Sequence, residues 1–396
     1  MLSNIAIKLS KSAETAVKKG HPWVFENSII KGPEDKKENG SLCILFDIKT
    51  NKPYAFGLWE QDEIIRIKII HRANYLKLDT SFWKKQCEIA KEKRRELFEN
   101  YTNAYRAIHG ENDSFPGLIL DVYAQNGVLK IYSKIWKNYL DSLLPLLQEV
   151  FNLKRIIFRF SRKLQDSKYY DYNEGDIIGK DLSKSEVVFE EYNVLFYSNL
   201  IEGHKTGFFL DQRPNRYWVQ QHAQNKDVLD VFSYVGGFGI HALYAGAKSL
   251  TSVDISSHAM DMAKKQISLN KLDSSKWNPL TGDAIKILED LIRQNKQFDI
   301  IILDPPSFAK QESEIKTALK QYERLAELGA SLTRKNGSLL LGSCSSRISL
   351  EAFKNAHKKV LHPNAWEIHK IVLHDIDHPI SFPEGIYLKT IIYQKK

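Results

Sequence analysis

Cysteine is scarce in this sequence. Its 396 residues include three cysteines, Cys43, Cys87 and Cys344. An odd and widely spaced set excludes a disulfide framework and lacks the paired spacing of a zinc site. We therefore expect no metal centre, and each thiol has to be judged from its own sequence context.

Long apolar runs are also absent. No segment approaches the roughly 18 consecutive apolar residues that a membrane-spanning helix needs, and lysines interrupt the first 20 residues where a signal peptide would be apolar. We expect a soluble, cytoplasmic protein with no membrane partner. The formal net charge is +9, which favours a polyanionic partner, although dispersed solvated lysines would give the same total.

The hydrophobic pattern predicts three domains. Short apolar runs between turns predict a small β-barrel or sandwich over residues 1–73. A helix over 79–101 followed by several strands predicts an α+β domain over 74–185. From 186 to 396 strands and helices alternate, which predicts an α/β domain with a parallel sheet. Its predicted strands are 228–232, 249–254, 299–303 and 337–341, and its predicted helices are 239–245, 257–270, 285–295 and 315–335.

A glycine-rich turn, residues 230–239 (DVFSYVGGFG), follows the first strand of this sheet. Such sheets bind ligands beyond the carboxyl ends of their strands, and glycine lets the backbone approach a ligand closely. The spacing is not that of a dinucleotide fingerprint, and no Lys-Ser/Thr pair follows as in a phosphate loop. The next strand ends in Asp254, which could accept hydrogen bonds from two ribose hydroxyls. Asp283 and the loop 304–308 (DPPSF) come later.

The glycine-rich turn, Asp254, Asp283 and the loop 304–308, in this order, resemble the motifs of the class I S-adenosylmethionine-dependent methyltransferases. The resemblance implies S-adenosylmethionine as cofactor, with Asp254 at its ribose and Asp283 at its adenine amino group. The alternative is a set of ordinary strand-end turns in a doubly wound fold. Further cofactor contacts are predicted for Asp230, Phe232, Ser233, Gly236 and Asp304.

Cys344 follows the last predicted strand, within residues 342–346 (GSCSS). Backbone amides at a strand end can lower a thiol pKa, so Cys344 is a candidate nucleophile, with a passive small residue as the alternative. Carbon 5 of a pyrimidine is too weak a nucleophile to take a methyl group unaided. A thiolate that adds to carbon 6 makes carbon 5 enamine-like, and Asp304 could bond ring nitrogen 3. Cys43 and Cys87 lie in strand and helix patterns and are expected to be structural.

Nearly the whole chain resembles the ribosomal RNA large subunit methyltransferase I family, which makes 5-methylcytosine in 23S rRNA. The resemblance implies a PUA-like RNA-binding fold, a central α+β domain, a class I Rossmann-like methyltransferase domain, and 23S rRNA as partner. Whether the chain is a monomer or a homodimer stays open. The motifs that carry the resemblance are residues 20–25 (GHPWVF), 109–118 (HGENDSFPGL), 202–213 (EGHKTGFFLDQR), 378–379 (HP) and 382–389 (FPEGIYLK).

The third of these motifs carries further predicted cofactor contacts. The resemblance implies contacts from Phe209, Asp211 and Arg213, whereas the residues alone fit a hairpin with a satisfied charge cluster equally well. The loop 304–308 departs from a common pattern. Ser307 follows Pro306 at the position where many RNA cytosine-5 methyltransferases carry cysteine. The chain therefore resembles the subgroup with a single working thiol.

Two rival functions are also compatible with the sequence. An exocyclic amine methyltransferase acting on guanine or adenine in RNA is suggested by the Asp-Pro-Pro loop before Phe308, and it needs no thiol. A nonenzymatic RNA-binding assembly factor would keep the fold without using it. RNA could contact a basic predicted strand at 154–163. Alternation along this strand puts Arg155 and Arg159 on one face and Phe158 and Phe160 on the other. The face with the two phenylalanines is expected to be core.

Overall fold

The computed structural model describes residues 4–180, 186–201 and 208–396. The chain forms two compact units. The first comprises Met1–Phe189, Ser198–Leu210 and Ile376–Pro383, and the second comprises Glu190–Tyr197, Asp211–Asp375 and Glu384–Lys396.

The first unit begins with a six-stranded sheet. Its elements are β1 (Asn4–Leu9), α1 (Lys11–Lys18), β2 (Trp23–Phe25), β3 (Ile29–Lys31), β4 (Leu42–Phe46), β5 (Pro53–Trp59) and β6 (Ile65–His71). The strand order is β2-β6-β5-β4-β1-β3. Alternate residues of β1 are buried, which packs Ile5 and Ile7 against Cys43, Leu45 and Ile67. The strand-rich pattern of the first region is confirmed, and Cys43 lies in its core.

A five-stranded sheet with helices completes the first unit. Its elements are α2 (Thr80–Glu92), α3 (Arg95–Glu99), β7 (Ala104–His109), β8 (Leu118–Tyr123), β9 (Asn126–Ile131), α4 (Leu140–Phe151), β10 (Arg155–Phe160), α5 (Arg162–Ser167) and β11 (Ile177–Gly179). The strand order is β11-β10-β9-β8-β7. The single helix predicted over 79–101 is wrong, because the chain breaks it at Arg94. That side chain is buried and donates to Asp113 and to the carbonyl oxygens of Ala90 and Arg106.

Strand β10 has the two faces that its alternation predicts. Phe158 and Phe160 are buried, and Phe158 stacks on Tyr172 with ring centroids 4.4 Å apart. On the other face, Arg159 donates to Glu174 Oε1 at 2.9 Å. The aromatic face is therefore core, and its rings are closed to stacking by an RNA base.

Two of the sequence motifs, 20–25 and 109–118, meet the start of a third, 382–389, in the first unit. The Trp23 indole N–H donates to Glu111 Oε1 at 3.0 Å, and the ring centroids of Trp23 and Phe382 lie 5.1 Å apart. The Ser381 backbone N–H donates to Asn112 Oδ1 at 2.8 Å. These contacts join segments that are far apart in sequence.

The second unit is built on a seven-stranded sheet. It follows the hairpin β12 (Glu186–Glu191) and β13 (Val194–Asn199), which has residues in both units. Its elements are α6 (Arg213–His222), β14 (Asp227–Val231), α7 (Gly237–Tyr244), β15 (Ser249–Asp254), α8 (Ser257–Leu269), β16 (Trp277–Thr281), α9 (Ala284–Arg293), β17 (Phe298–Leu303), α10 (Ile315–Leu332), β18 (Thr333–Ser343), α11 (Leu350–Lys358), β19 (Trp366–Val372) and β20 (Lys389–Lys395).

The strand order is β16-β15-β14-β17-β18-β20-β19, and the first five of these strands are parallel. Strand β20 runs antiparallel to both β18 and β19. From β14 the chain continues to β15 and β16 on one side of the sheet, and from β17 it continues to β18 on the other side. A topological switch point therefore lies between β14 and β17, where open α/β sheets bind their ligands.

Candidate active site at the carboxyl edge of the sheet

The turn after β14 lies at this switch point and has an unusual backbone. Phe232, Tyr234 and Gly236 have φ angles of 62°, 49° and 84°. Left-handed conformations are uncommon for residues with a Cβ and tend to cluster at functional sites. The Ser233 N–H donates to the Val253 carbonyl oxygen at 3.0 Å, which ties the turn to the neighbouring strand.

Asp230 supports this turn from inside the protein. The residue is 1% exposed, and its Oδ2 accepts a hydrogen bond from the Gly239 N–H at 3.0 Å. Burial raises the pKa of this carboxyl to about 8, against the effect of that hydrogen bond, and the nearby Asp304 and Asp254 carboxylates raise it further. Asp230 is therefore mostly neutral at pH 7. Its visible contact is with the turn, so a direct cofactor contact stays a prediction.

Asp254 is the last residue of β15 and is half-buried. Its Oδ2 accepts from the Tyr234 N–H at 2.8 Å, and its Oδ1 accepts from the Ser256 N–H at 2.9 Å. These two bonds fix the carboxylate beside the turn, and a carboxylate has about four lone-pair sites. Lone pairs therefore remain for ribose hydroxyls. The position is the one that the sequence predicts for a ribose-binding acid.

Two further predicted contacts have different surroundings. The Ser233 hydroxyl oxygen is buried and has no hydrogen-bond partner within the described ranges, and such a group is suited to a ligand that supplies the missing bond. Asp283 is exposed and precedes α9, where its Oδ1 accepts from the Lys286 N–H at 3.0 Å. Helix capping by itself explains an aspartate at this position. Its contact with adenine stays a prediction.

Asp304 and Cys344 lie at the ends of neighbouring strands. Asp304 follows β17 and Cys344 follows β18, and the Cys344 Sγ lies 4.0 Å from the Pro305 carbonyl oxygen. Gly342 makes room for the acid, because a Cβ built at Gly342 would lie 2.5 Å from Asp304 Oδ1. The tertiary structure therefore brings together the two residues that the sequence predicts to be catalytic.

The segment that carries Cys344, residues 343–348, is held by hydrogen bonds from several sides. The Ser343 and Tyr322 hydroxyls are 2.9 Å apart, and the Ser345 hydroxyl donates to the Ala309 carbonyl oxygen at 2.7 Å. Lys389, at the start of β20, donates to the carbonyl oxygens of Ser345 and Ile348, both at 2.6 Å. Lys389 is the last residue of the motif at 382–389, but the sequence alone indicates no function for it. Its position in that motif was the available signal.

The motif at 202–213 lies partly outside the described residues, which resume at 208. Phe209 is half-buried. Asp211 Oδ2 accepts from the Tyr387 hydroxyl at 2.8 Å, and the buried Arg213 forms an ion pair with Asp375 at 2.7 Å. These bonds agree with a satisfied charge cluster. Cofactor contacts from Phe209, Asp211 and Arg213 stay predictions.

The described ranges contain neither a metal-binding cluster nor a membrane-spanning helix. None of their His, Cys, Asp and Glu side chains form a group of three or more that could hold a metal ion. None of the helices in these ranges is both long and apolar enough to cross a membrane.

Comparisons with known proteins identify the family. A family model of S-adenosylmethionine-dependent methyltransferases matches residues 163–352, and a model of PUA-like domains matches residues 7–72. A ribosomal RNA large subunit methyltransferase from Deinococcus radiodurans is 33% identical over 398 residues, which cover 98% of this chain and 97% of that protein. The ribosomal RNA large subunit methyltransferase I of Tolumonas auensis is 32% identical over 392 residues, or 98% of each chain.

Solved structures support the fold. A protein described as a SAM-dependent methyltransferase from Streptococcus mutans matches with a TM-score of 0.80 at 20% identity, over 100% of both chains. A protein described as a methyltransferase, in complex with SAH, matches with a TM-score of 0.82 at 20% identity, over 99% of this chain and 100% of that one. Together with the family models, these structures confirm the predicted PUA-like and class I methyltransferase folds. The methyltransferase family model confirms S-adenosylmethionine as the cofactor. The chain belongs to the ribosomal RNA large subunit methyltransferase I family of S-adenosylmethionine-dependent enzymes.

Proposed function

We propose that this enzyme methylates carbon 5 of a cytosine in 23S rRNA through a covalent adduct with Cys344. The observation that carries the proposal is the placement of a thiol and a carboxylate, Cys344 and Asp304, at adjacent strand ends beside the switch point. The names of the relatives support ribosomal RNA as substrate, and the net charge of +9 suits a polyanion. Such an enzyme would meet its RNA in the cytoplasm.

The residues at the switch point fit the cofactor. Asp254 would hold the ribose hydroxyls, and the Ser233 hydroxyl, which has no hydrogen-bond partner among the described residues, lies in the adjacent turn. When bound there, S-adenosylmethionine supplies the methyl group that carbon 5 accepts. The chain itself has to make carbon 5 nucleophilic and later restore the aromatic ring.

Cys344 would perform both tasks. Its thiolate forms a bond from sulfur to carbon 6, and the electron pair of the 5,6 double bond shifts toward carbon 5 and, through the conjugated 3,4 double bond, toward ring nitrogen 3. After methylation a base removes the proton from carbon 5. The electrons of that bond re-form the double bond, and the carbon–sulfur bond breaks to release the thiolate. Ring nitrogen 3 is a hydrogen-bond acceptor, so Asp304 would act in its protonated form and donate to this nitrogen, where electron density accumulates in the adduct.

Trapping with fluorinated RNA tests this mechanism. A fluorine on carbon 5 cannot leave as a proton does, so the wild-type enzyme should form a denaturant-stable complex with 23S rRNA fragments that contain 5-fluorocytosine. Cys344→Ala should lose both the complex and methyl transfer while it keeps cofactor binding. Cys87→Ala is the matched control, because Cys87 is buried in the core of the first unit.

Retained methyl transfer by Cys344→Ala, with no covalent complex, would contradict the proposal. Methyl groups would then be expected on an exocyclic amine of guanine or adenine, a reaction that requires no thiol. Mass mapping of the modified nucleotide distinguishes the two products. Failure of the purified protein to bind S-adenosylmethionine would instead favour a nonenzymatic assembly factor.

A further inference from the structure

Lys389 is a buried cation beside the segment that carries Cys344. It is 1% exposed, and its strand places it opposite Ser343, the residue before the thiol. Its ammonium donates to the carbonyl oxygens of Ser345 and Ile348, both at 2.6 Å. One side chain therefore bonds the chain at two points that follow Cys344.

The charge of Lys389 lacks a carboxylate partner in the described part of the chain, since its hydrogen bonds end on carbonyl oxygens. A buried ammonium without a counter-charge is costly, and carbonyl dipoles offset only part of that cost. Burial lowers the pKa of Lys389 to about 8, whereas negative charge on Cys344 acts in the opposite direction. The thiolate is therefore a counter-charge within electrostatic reach.

We propose that Lys389 is a positioning residue that orders the Cys344 segment and stabilises the Cys344 thiolate. The proposal rests on the nucleophilic function proposed for Cys344. The proposed mechanism requires Cys344 to react as a thiolate near neutral pH, and a fixed cation favours the deprotonated form of a nearby acid.

Other groups also face this part of the site. Tyr322, on α10, interacts electrostatically with both Cys344 and Asp304, and burial raises the pKa of its phenol to about 12. Tyr322 is therefore neutral in the assay range. Asp304 comes from the end of β17, and Arg347 on the Cys344 segment itself is exposed. Among these groups that face the Cys344 segment, Lys389 is the buried cation.

Strand β20 supplies a matched control. Lys395 lies on the same face of β20, six residues further on, and donates to the carbonyl oxygens of Ala330 and Thr333 at 3.0 and 2.6 Å. It therefore repeats the bonding of Lys389 at the other end of the strand, about 20 Å away. Lys395→Met removes a similar side chain without touching the Cys344 segment.

The test is the pH dependence of thiol alkylation in the full chain. Iodoacetamide reacts with the thiolate, and mass spectrometry of peptides separates Cys344 from the buried Cys43 and Cys87. Lys389→Met should raise the apparent pKa of Cys344 by at least about one unit, which lowers the alkylation rate at pH 7 about tenfold. Lys389→Arg should restore a value close to wild type, and Lys395→Met should leave it unchanged.

An unchanged Cys344 pKa in folded Lys389→Met would overturn the proposal. A rate that falls equally at every pH would also overturn it, because that result indicates altered access without thiolate stabilisation. If Lys389→Met does not fold, the apparent pKa of Cys344 is measured in the wild-type protein. A value at or above the ordinary thiol pKa of about 8.5 would then refute stabilisation of the thiolate. The assay uses neither RNA nor cofactor, so its failure is distinguishable from failure of the covalent mechanism.

Discussion

Replacing Asp230 with asparagine should change how the stability of the second unit depends on pH. The carboxyl is buried, its pKa is raised to about 8, and its Oδ2 accepts from the Gly239 N–H. In the unfolded chain an aspartate has a pKa near ~3.9. Between these two values the folded state holds a proton that the unfolded state has released. The free energy of unfolding therefore falls as pH rises through this window.

The expected magnitude follows from the two pKa values. Each pH unit within the window is worth about 1.4 kcal/mol, and partial ionisation of the folded state near pH 8 reduces the total change between pH 6 and pH 8 to about 2 kcal/mol. Asparagine is an uncharged near-isostere of aspartate, and its side-chain carbonyl oxygen can still accept from Gly239. The Asp230→Asn variant should therefore gain about 2 kcal/mol relative to wild type over this range.

Urea unfolding of the cofactor-free, full-length protein at pH 6, 7 and 8 and constant salt measures this difference. Asp283→Asn is the matched control, since Asp283 is an exposed carboxylate in the same unit. A difference between wild type and Asp230→Asn that stays constant from pH 6 to pH 8 would refute the reasoning. Such a result would mean that Asp230 is already ionised in the folded protein.

Two further substitutions test the cofactor and substrate sides of the site. Asp254→Ala should weaken S-adenosylmethionine binding by more than about tenfold, because charge-assisted hydrogen bonds are worth roughly 1.5–3 kcal/mol each; unchanged affinity by calorimetry in a folded variant would remove Asp254 from the cofactor site. Gly342→Ala places a Cβ 2.5 Å from Asp304 Oδ1 and must displace that carboxylate; we expect kcat to fall by about 100-fold with nearly unchanged cofactor affinity, since a shift of about 1 Å can have that effect. Wild-type kcat in Gly342→Ala would show that the placement of Asp304 is not critical.

Much of the second unit was predictable because each element carries its own local signal. Strand β15 has the predicted bounds, and β14 and β17 each begin one residue before the predicted strand. Continuous apolar runs identify buried parallel strands, and the glycine turn and acids mark their ends. Strand β16 was missed because it is short and largely exposed at the sheet edge and contains Pro279.

The sequence by itself determined which acids and which thiol follow the strands, because those positions depend on the local apolar pattern. It could not determine the partners of these groups. The Arg213–Asp375 ion pair joins residues 162 positions apart, and Lys389 reaches the carbonyl of Ser345 across 44 positions. Both contacts depend on the final strands of the sheet, where β20 runs antiparallel between β18 and β19. Only the tertiary structure decided them, because pairing between distant segments depends on the packing of the whole sheet and leaves no periodic signal within either segment.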